Sequence, residues 1–398
     1  MKILSFGCRL NTFESALIQK MLSDRDDVFV INTCAVTHEA ERQCCQAIRR
    51  AYRENPEMKI IVTGCAAQIN PQKYAEMPEV HKVIGNLEKL SKKSFLEGEK
   101  VQVQDISMAD VEVPVISDFE SRTRAFLQIQ QGCSHKCTFC IVRKARGQNK
   151  GLEPEKVIAE ANQLVQKGFS ELVLTGVDIT SYPYGFNQLL KDIIKNVPDL
   201  KRLRLGSIDP ACLDDEFIDV VSDNEVMMPH LHLSMQSGDN MILKRMGRRH
   251  SFEQVLNACH KLKQKRKDIV FGADFIAGFP TETEEMFLNT VEFAKEAPIT
   301  HLHVFPYSVR PETPAAKMPM IDMGERKRRA NALRSFGEEL LQKTLDSYIG
   351  KRLSVLVEIN QTGYSENYLK VKTNVDKTGE IVPVLITGRI KNELVGQA

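Results

Sequence analysis

Three of the chain's ten cysteines, Cys133, Cys137 and Cys140, fall in the run QQGCSHKCTFC with the spacing C-x3-C-x2-C. Three thiolates this close in sequence can hold three irons of a cubane 4Fe-4S cluster, whose protein ligands are normally cysteines. No fourth cysteine stands nearby. One iron is then left without a protein ligand, and an open coordination position is what separates a reactive metal site from a closed structural one. The alternative is a structural zinc that takes His135 as its fourth ligand. Zinc sites favour paired C-x2-C knuckles, however, and only one C-x2-C is present here.

Cys8, Cys34 and Cys65 carry a second inference from spacing. Each directly follows a short apolar run, in the sequences FGC, NTC and TGC, at intervals of 26 and 31 residues. The runs KILSFG (2–7), VFVINT (28–33) and KIIVTG (59–64) read as parallel strands, and the helical stretches 11–22 and 38–53 are long enough to cross between them. In such a sheet the C-terminal strand ends share the edge where ligands bind, so three thiols would converge there. A free cysteine taken singly is more often a small buried hydrophobe. Equivalent placement in three successive units favours a second cluster with a second open iron. Cys44, Cys45, Cys212 and Cys259 lie outside both patterns and read as bystanders.

The elements that must position these thiols predict an α/β fold in three parts. A length of 398 residues suggests two or three domains. A fourth unit at 80–85 is expected to end the first sheet, and the charged stretch 91–120 reads as a connector. From Arg124 a second series supplies six strand candidates: AFLQIQ, ELVLTG (171–176), RLRLGS (202–207), HLHLSM (230–235), IVFGADFIAG (269–278) and HLHVFPY (301–307). Helical patterns at 154–167, 186–196, 213–223, 252–265 and 282–296 fill the gaps, and a long helix at 325–347 closes the series. This is a barrel with six of eight possible βα repeats, and it places Cys133 just beyond the first strand, at the end where such barrels carry their chemistry. The tail, with β-type runs between turn residues, suggests a small antiparallel barrel of OB-like size. The expected divisions are 1–115, an amino-terminal parallel sheet; 116–347, the partial barrel; and 348–398, the small β-barrel.

Composition excludes other classes. Hydrophobic residues at 42% and charged residues at 27% match globular averages, and no run approaches the 18 apolar residues of a membrane span. Residues 1–6 lead into Gly7 and Cys8 without the apolar core of a secretory signal, so a cytoplasmic protein without membrane association is expected. A net charge of +2 leaves any anionic partner to be met by local patches. Candidates are the basic runs 244–250, 261–267 and 325–330, which are more often solvated helix faces.

The triplet with Phe139 before its last cysteine resembles the radical S-adenosylmethionine superfamily. That resemblance implies an open iron that binds the amino and carboxylate groups of S-adenosylmethionine, whose reduction yields a 5′-deoxyadenosyl radical. Two triads together resemble the methylthiotransferase family, which inserts sulfur into an unactivated C–H bond and methylates it. Matching stretches are GCRLNTFES (7–15), INTCAVTHEAERQ (31–43), HLSMQSGDN (232–240), GADFIAGFPTETEEMF (272–287) and HVFPYSVRPETPA (303–315). The stretch 141–151 departs from the family pattern by lacking a Pro-aromatic pair. The resemblance implies two 4Fe-4S clusters, an electron donor, a sulfur donor, and a tail like the TRAM RNA-binding domain. The closest subgroup acts on threonylcarbamoyladenosine beside the anticodon of tRNA; isopentenyladenosine in tRNA and a ribosomal-protein aspartate are the family's other targets.

Further residues are candidates for the cofactor. Gly176 and Asp178 follow the second barrel strand, where a backbone carbonyl or carboxylate could accept from a methionyl ammonium, though an ordinary βα turn explains them too. Ser207 and Gln236 occupy corresponding positions after the third and fourth strands, and Arg146 could pair with the cofactor carboxylate. Gly278 and Pro280 suit an adenine-stacking wall or a simple strand exit. His230, His232, His301 and His303 share strand faces and could form a metal site, but hydrogen-bonded barrel residues are the commoner outcome.

Overall fold

A computed structural model describes residues 1–107, 109, 113–114 and 123–398. The expected division at 115/116 lies outside the described residues. Strands β1 (Lys2–Ser5), β2 (Val28–Thr33), β3 (Lys59–Gly64), β4 (Lys82–Ile84) and β5 (Val101–Gln102) form one sheet in that order, with every pair parallel. The stretch read as a connector therefore also holds the helix Lys92–Leu96 and a fifth strand. Two residues are too few to show a period-2 pattern, which is why β5 was invisible in the sequence. Ser5 pairs with Asn32 and Thr33 with Gly64, so β1, β2 and β3 finish level with one another. Crossover helices Arg9–Met21 and His38–Glu54 follow β1 and β2, and Thr37 caps the second by accepting from the Ala40 N–H.

The central region holds β6 (Ala125–Gln128), a short antiparallel pair β7 (Gln130–Gln131) and β8 (Lys150–Gly151), β9 (Glu171–Thr175), β10 (Arg202–Leu205), β11 (Ser207–Ile208), β12 (His230–Gln236), β13 (Val270–Ala277) and β14 (Ile299–Pro306). The parallel strands run β10-β9-β6 and β11-β12-β13-β14. At Gly206 the third expected strand divides: β10 pairs with β9, and β11 pairs with β12. All five residues of β9 are buried, as expected for a parallel strand covered on both faces. Helix Met323–Asp346 packs along β14 and β13.

In the tail, β15 (Arg352–Glu358), β16 (Thr362–Ser365), β17 (Lys370–Lys372), β18 (Ile381–Ile390) and β19 (Glu393–Gln397) close a barrel. Its closure is not wholly antiparallel, because β17 pairs with β19 in parallel. Five is an odd number of strands, and directions cannot alternate all the way around an odd ring. Among the described residues no helix is long and apolar enough to cross a membrane.

The tail barrel closes the end at which the central strands begin. Glu171 is fully buried there among Arg204 (2.9 Å), Arg202 (3.5 Å) and Arg124 (3.6 Å). Arg204 also donates to the carbonyls of Ser365 and Glu366, and Arg202 to that of Ser354. Charged strand starts are tolerated because the tail caps them. Glu171→Ala would leave buried Arg204 and Arg202 without their carboxylate, while Arg124 keeps its pair with Glu358 at 2.6 Å, and breaking a buried charge set in this way costs about 3–5 kcal/mol. We expect a loss of that size in urea unfolding; a loss below about 1 kcal/mol, the range of exposed pairs, would contradict this account.

Candidate functional site

The amino-terminal thiols gather at the level ends of the first three strands. Gly7 and Gly64, which precede Cys8 and Cys65, both have φ of 95°, a region that L side chains rarely adopt. A Cβ at Gly7 would lie 2.6 Å from Cys34 Sγ, so the missing side chain is what lets the first two thiol loops touch. Burial first, then the neighbouring sulfurs of Cys65 and Cys8, push the Cys34 thiol up to about 12. The three sulfurs therefore stand close enough to act on one another electrostatically.

The second triad sits just past β6. Desolvation first, then the sulfurs of Cys137 and Cys133, push the Cys140 thiol up to about 12. The loop is fixed by backbone bonds from Cys133 N to Gly147 O (3.1 Å), Thr138 N to Met246 O (2.9 Å) and Cys140 N to Cys137 O (3.1 Å). Arg248 Nη1 approaches Cys137 Sγ at 3.6 Å. His135 does not complete a four-ligand zinc set with the triad. Its Nε2 meets Asp178 Oδ2 at 2.8 Å and Ser181 Oγ at 2.9 Å, and only Cys133 of the triad groups closely with His135 and Asp178.

One cleft is lined from both sides of the junction, with Cys140 the triad cysteine on its wall. Val36 and Thr37, beyond Cys34, line it together with Phe139 and Cys140 of the barrel loop, and Gln236 and Asp274 line it as well. Reciprocal packing holds the parts together. Ile141 and Ala145, just after Cys140, belong to the amino-terminal core with Ala35, Cys65 and Ala66. In return Phe13 of the first helix lies in the barrel core. His38 N donates to Ser308 Oγ at 3.1 Å across the same junction.

The other expected residues divide into near and committed. Gln236 reaches the cleft because a bulge after Leu233 re-aims the end of β12 and puts Gln236 at φ 72°. Ser207 is exposed on β11, with its Oγ 2.8 Å from Ser234 Oγ. Gly176 is pressed against Gln130, where a Cβ would lie 2.8 Å from Oε1. The Asp178 carboxylate is already held by Thr180, Ser181 and His135. Arg146 requires a correction. Rather than waiting for a cofactor carboxylate, it is 2% exposed and forked on Glu14 at 2.7 and 2.9 Å, with Nε 3.1 Å from Cys65 Sγ. The four histidines do not make one site: His232 and His303 approach Asp274 at 3.0 and 3.5 Å, while His230 stacks on Tyr368 at 4.7 Å. The basic runs spend much of their charge internally, in pairs such as Lys261–Asp215, Arg329–Glu282 and Arg249–Asp209 at 2.8, 2.8 and 3.0 Å.

Sequence reasoning missed Asn11, Glu14 and Lys89, all buried around Arg146. Asn11 and Glu14 sit three apart on one helix face, a polar pair on a stripe otherwise buried with Leu10, Phe13 and Ile18; that was the available signal. Nothing local marks Lys89.

A six-stranded partial barrel with a three-cysteine loop at the end of its first strand defines a radical S-adenosylmethionine protein. The model of the Radical SAM superfamily matches residues 127–294, and that of the Uncharacterized protein family UPF0004 matches residues 1–85. The chain belongs to the family of the threonylcarbamoyladenosine tRNA methylthiotransferases MtaB. It is 47% identical to the MtaB of Rickettsia prowazekii (strain Madrid E) over 99% of this chain and 94% of that one. It is 36% identical to the MtaB of Bacillus subtilis (strain 168) over 96% and 92%. Among solved structures, the radical S-adenosylmethionine methyltransferase TsrM from Kitasatospora setae superposes with a TM-score of 0.55 at 16% identity, over 77% of this chain and 69% of that one. This last likeness concerns the fold alone. Family membership brings a 4Fe-4S cluster and S-adenosylmethionine to the barrel.

Proposed function

We propose that this protein is a tRNA-modifying enzyme that replaces the C2 hydrogen of threonylcarbamoyladenosine, beside the anticodon, with a methylthio group. The observation that carries the reading is the cleft lined jointly by the loop after Cys34 and the loop bearing Cys140. Cys133, Cys137 and Cys140 would hold one 4Fe-4S cluster, and Cys8, Cys34 and Cys65 a second. The bound groups supply radical formation from S-adenosylmethionine and a site for the sulfur to be transferred. The remaining work belongs to the chain. Reciprocal insertion of Phe13 and of Ile141 with Ala145 holds the loop after Cys34 and the loop bearing Cys140 at one cleft, which favours proximity of the two triads. Gln236 is the cleft's amide candidate for orienting cofactor or substrate. Gly176 admits close backbone approach, and Ser207 offers a hydroxyl from the neighbouring strand. Asp178 acts through His135, fixing the barrel's cluster loop. The working division is 1–115 for the second cluster, 116–347 for the radical barrel, and 348–398 for tRNA contact. A reductant and a sulfur source come from outside the chain.

Mass spectrometry of tRNA nucleosides from cells with and without the gene tests the substrate. Deletion is expected to remove 2-methylthio-threonylcarbamoyladenosine and leave its unthiolated precursor. Loss of the methylthio form of isopentenyladenosine instead would move the enzyme to another member of the family.

A further inference from the structure

The positive charge at the amino-terminal triad comes partly from the other domain. Arg146 belongs to the barrel, six residues past Cys140, yet it is buried against the Cys65 thiol of the first sheet. Its Nη1 and Nη2 donate to Glu14 Oε1 and Oε2 at 2.7 and 2.9 Å, Nη2 also to Asn11 Oδ1 at 2.5 Å, and Nε to Cys65 Sγ at 3.1 Å. Nη1 reaches Gln131 Oε1 at 3.3 Å. From the other side Lys89 Nζ meets Glu14 Oε2 at 2.6 Å and Asn86 Oδ1 at 2.6 Å, and Asn86 returns a bond to Ala145 O at 2.6 Å.

Two buried cations therefore share one buried carboxylate. A buried charge without a counter-charge is strongly disfavoured, so this set is short of one negative charge. The sulfur that Arg146 Nε faces is where that charge belongs. Three thiolates around an oxidised 4Fe-4S core carry one net negative charge, which balances the set. A bare interdomain ion pair between Arg146 and Glu14 would need neither Lys89 nor the bond to sulfur.

We infer that Arg146, backed by Lys89, is a positioning residue for the second cluster: it supplies the positive charge that the Cys8, Cys34 and Cys65 thiolates require and raises the reduction potential of the cluster they hold. A fixed cation and a hydrogen bond to a ligand sulfur both favour the added electron, and outer partners of this kind set cluster potentials. The inference rests on the two-cluster reading.

The test uses full-length holoenzyme, titrated with dithionite and followed by electron paramagnetic resonance, as wild type, Arg146→Lys and Arg146→Met. Iron and sulfide should stay at about eight each per chain in all three. In Arg146→Met the second cluster's midpoint should fall far enough to cut its reduced fraction tenfold at fixed poise, about 59 mV for one electron. Arg146→Lys should remain close to wild type, and the cluster that responds to added S-adenosylmethionine should not move. An unmoved second midpoint in iron-replete Arg146→Met overturns the proposal. Should that variant not fold, Lys89→Gln changes the charge without touching Cys65; a midpoint that fails to fall there overturns it equally. Wild-type protein with only about four irons would end the two-cluster reading itself.

Discussion

Cys133→Ala protein should form no 5′-deoxyadenosine and methylthiolate no tRNA. The loop offers three thiolates and no reserve ligand, since the nearest alternative, His135, is occupied by Asp178 and Ser181. Removing even an outer-shell partner of a metal ligand commonly costs about 10–100-fold, and removing one of three direct ligands should exceed that range. The substitution is structurally mild. Cys133 is only partly buried, and its loop is anchored through backbone bonds to Gly147 and Met246 that alanine preserves. Anaerobic assays with dithionite, reading 5′-deoxyadenosine and modified nucleoside together, check both losses. Cys212→Ala, which alters a cysteine outside both triads, is the control and should match wild type. Cleavage of S-adenosylmethionine by Cys133→Ala within tenfold of wild type would falsify the ligand assignment.

Much of this architecture was legible because it rests on strong local signals. The barrel strands follow from apolar runs, and β1 to β3, which end just before Cys8, Cys34 and Cys65, do finish in level register. What the sequence hid depends on long-range charge. Arg146 reads as a loop arginine until the fold brings Glu14, 132 residues away, against it. The basic runs read mostly as solvated helix faces, and the fold gives them Asp215 of a neighbouring helix and Glu282 of the loop before the helix Glu284–Glu296 as partners. Asp178 looked free for a cofactor ammonium, but its turn supplies Thr180 and Ser181 hydroxyls and the cluster loop supplies His135. In each case the residue type was informative and its partner could not be read, because ion pairs carry no sequence period.

The second large effect separates the two triads. Cys8→Ala should leave S-adenosylmethionine cleavage near the wild-type rate while abolishing methylthio transfer. Cys8 is the member of its triad to change, because it is exposed, whereas Cys34 and Cys65 are buried against the sheet and alanine there would also leave cavities. The barrel loop should not feel the change, since its own backbone anchors run to Gly147 and Met246. Uncoupled turnover is therefore the diagnostic: 5′-deoxyadenosine accumulates, iron falls toward about four per chain, and the nucleoside stays unthiolated. A barrel cluster working alone predicts something different, because Cys8 would then be a surface thiol whose loss changes nothing. Full thiolation by reconstituted Cys8→Ala would leave the level strand ends of the first sheet without a chemical purpose. Loss of both activities would instead mean that the two parts fail to seat, and it should then be reproduced by Phe13→Ala, which removes one side of the reciprocal packing across the junction while sparing every cysteine.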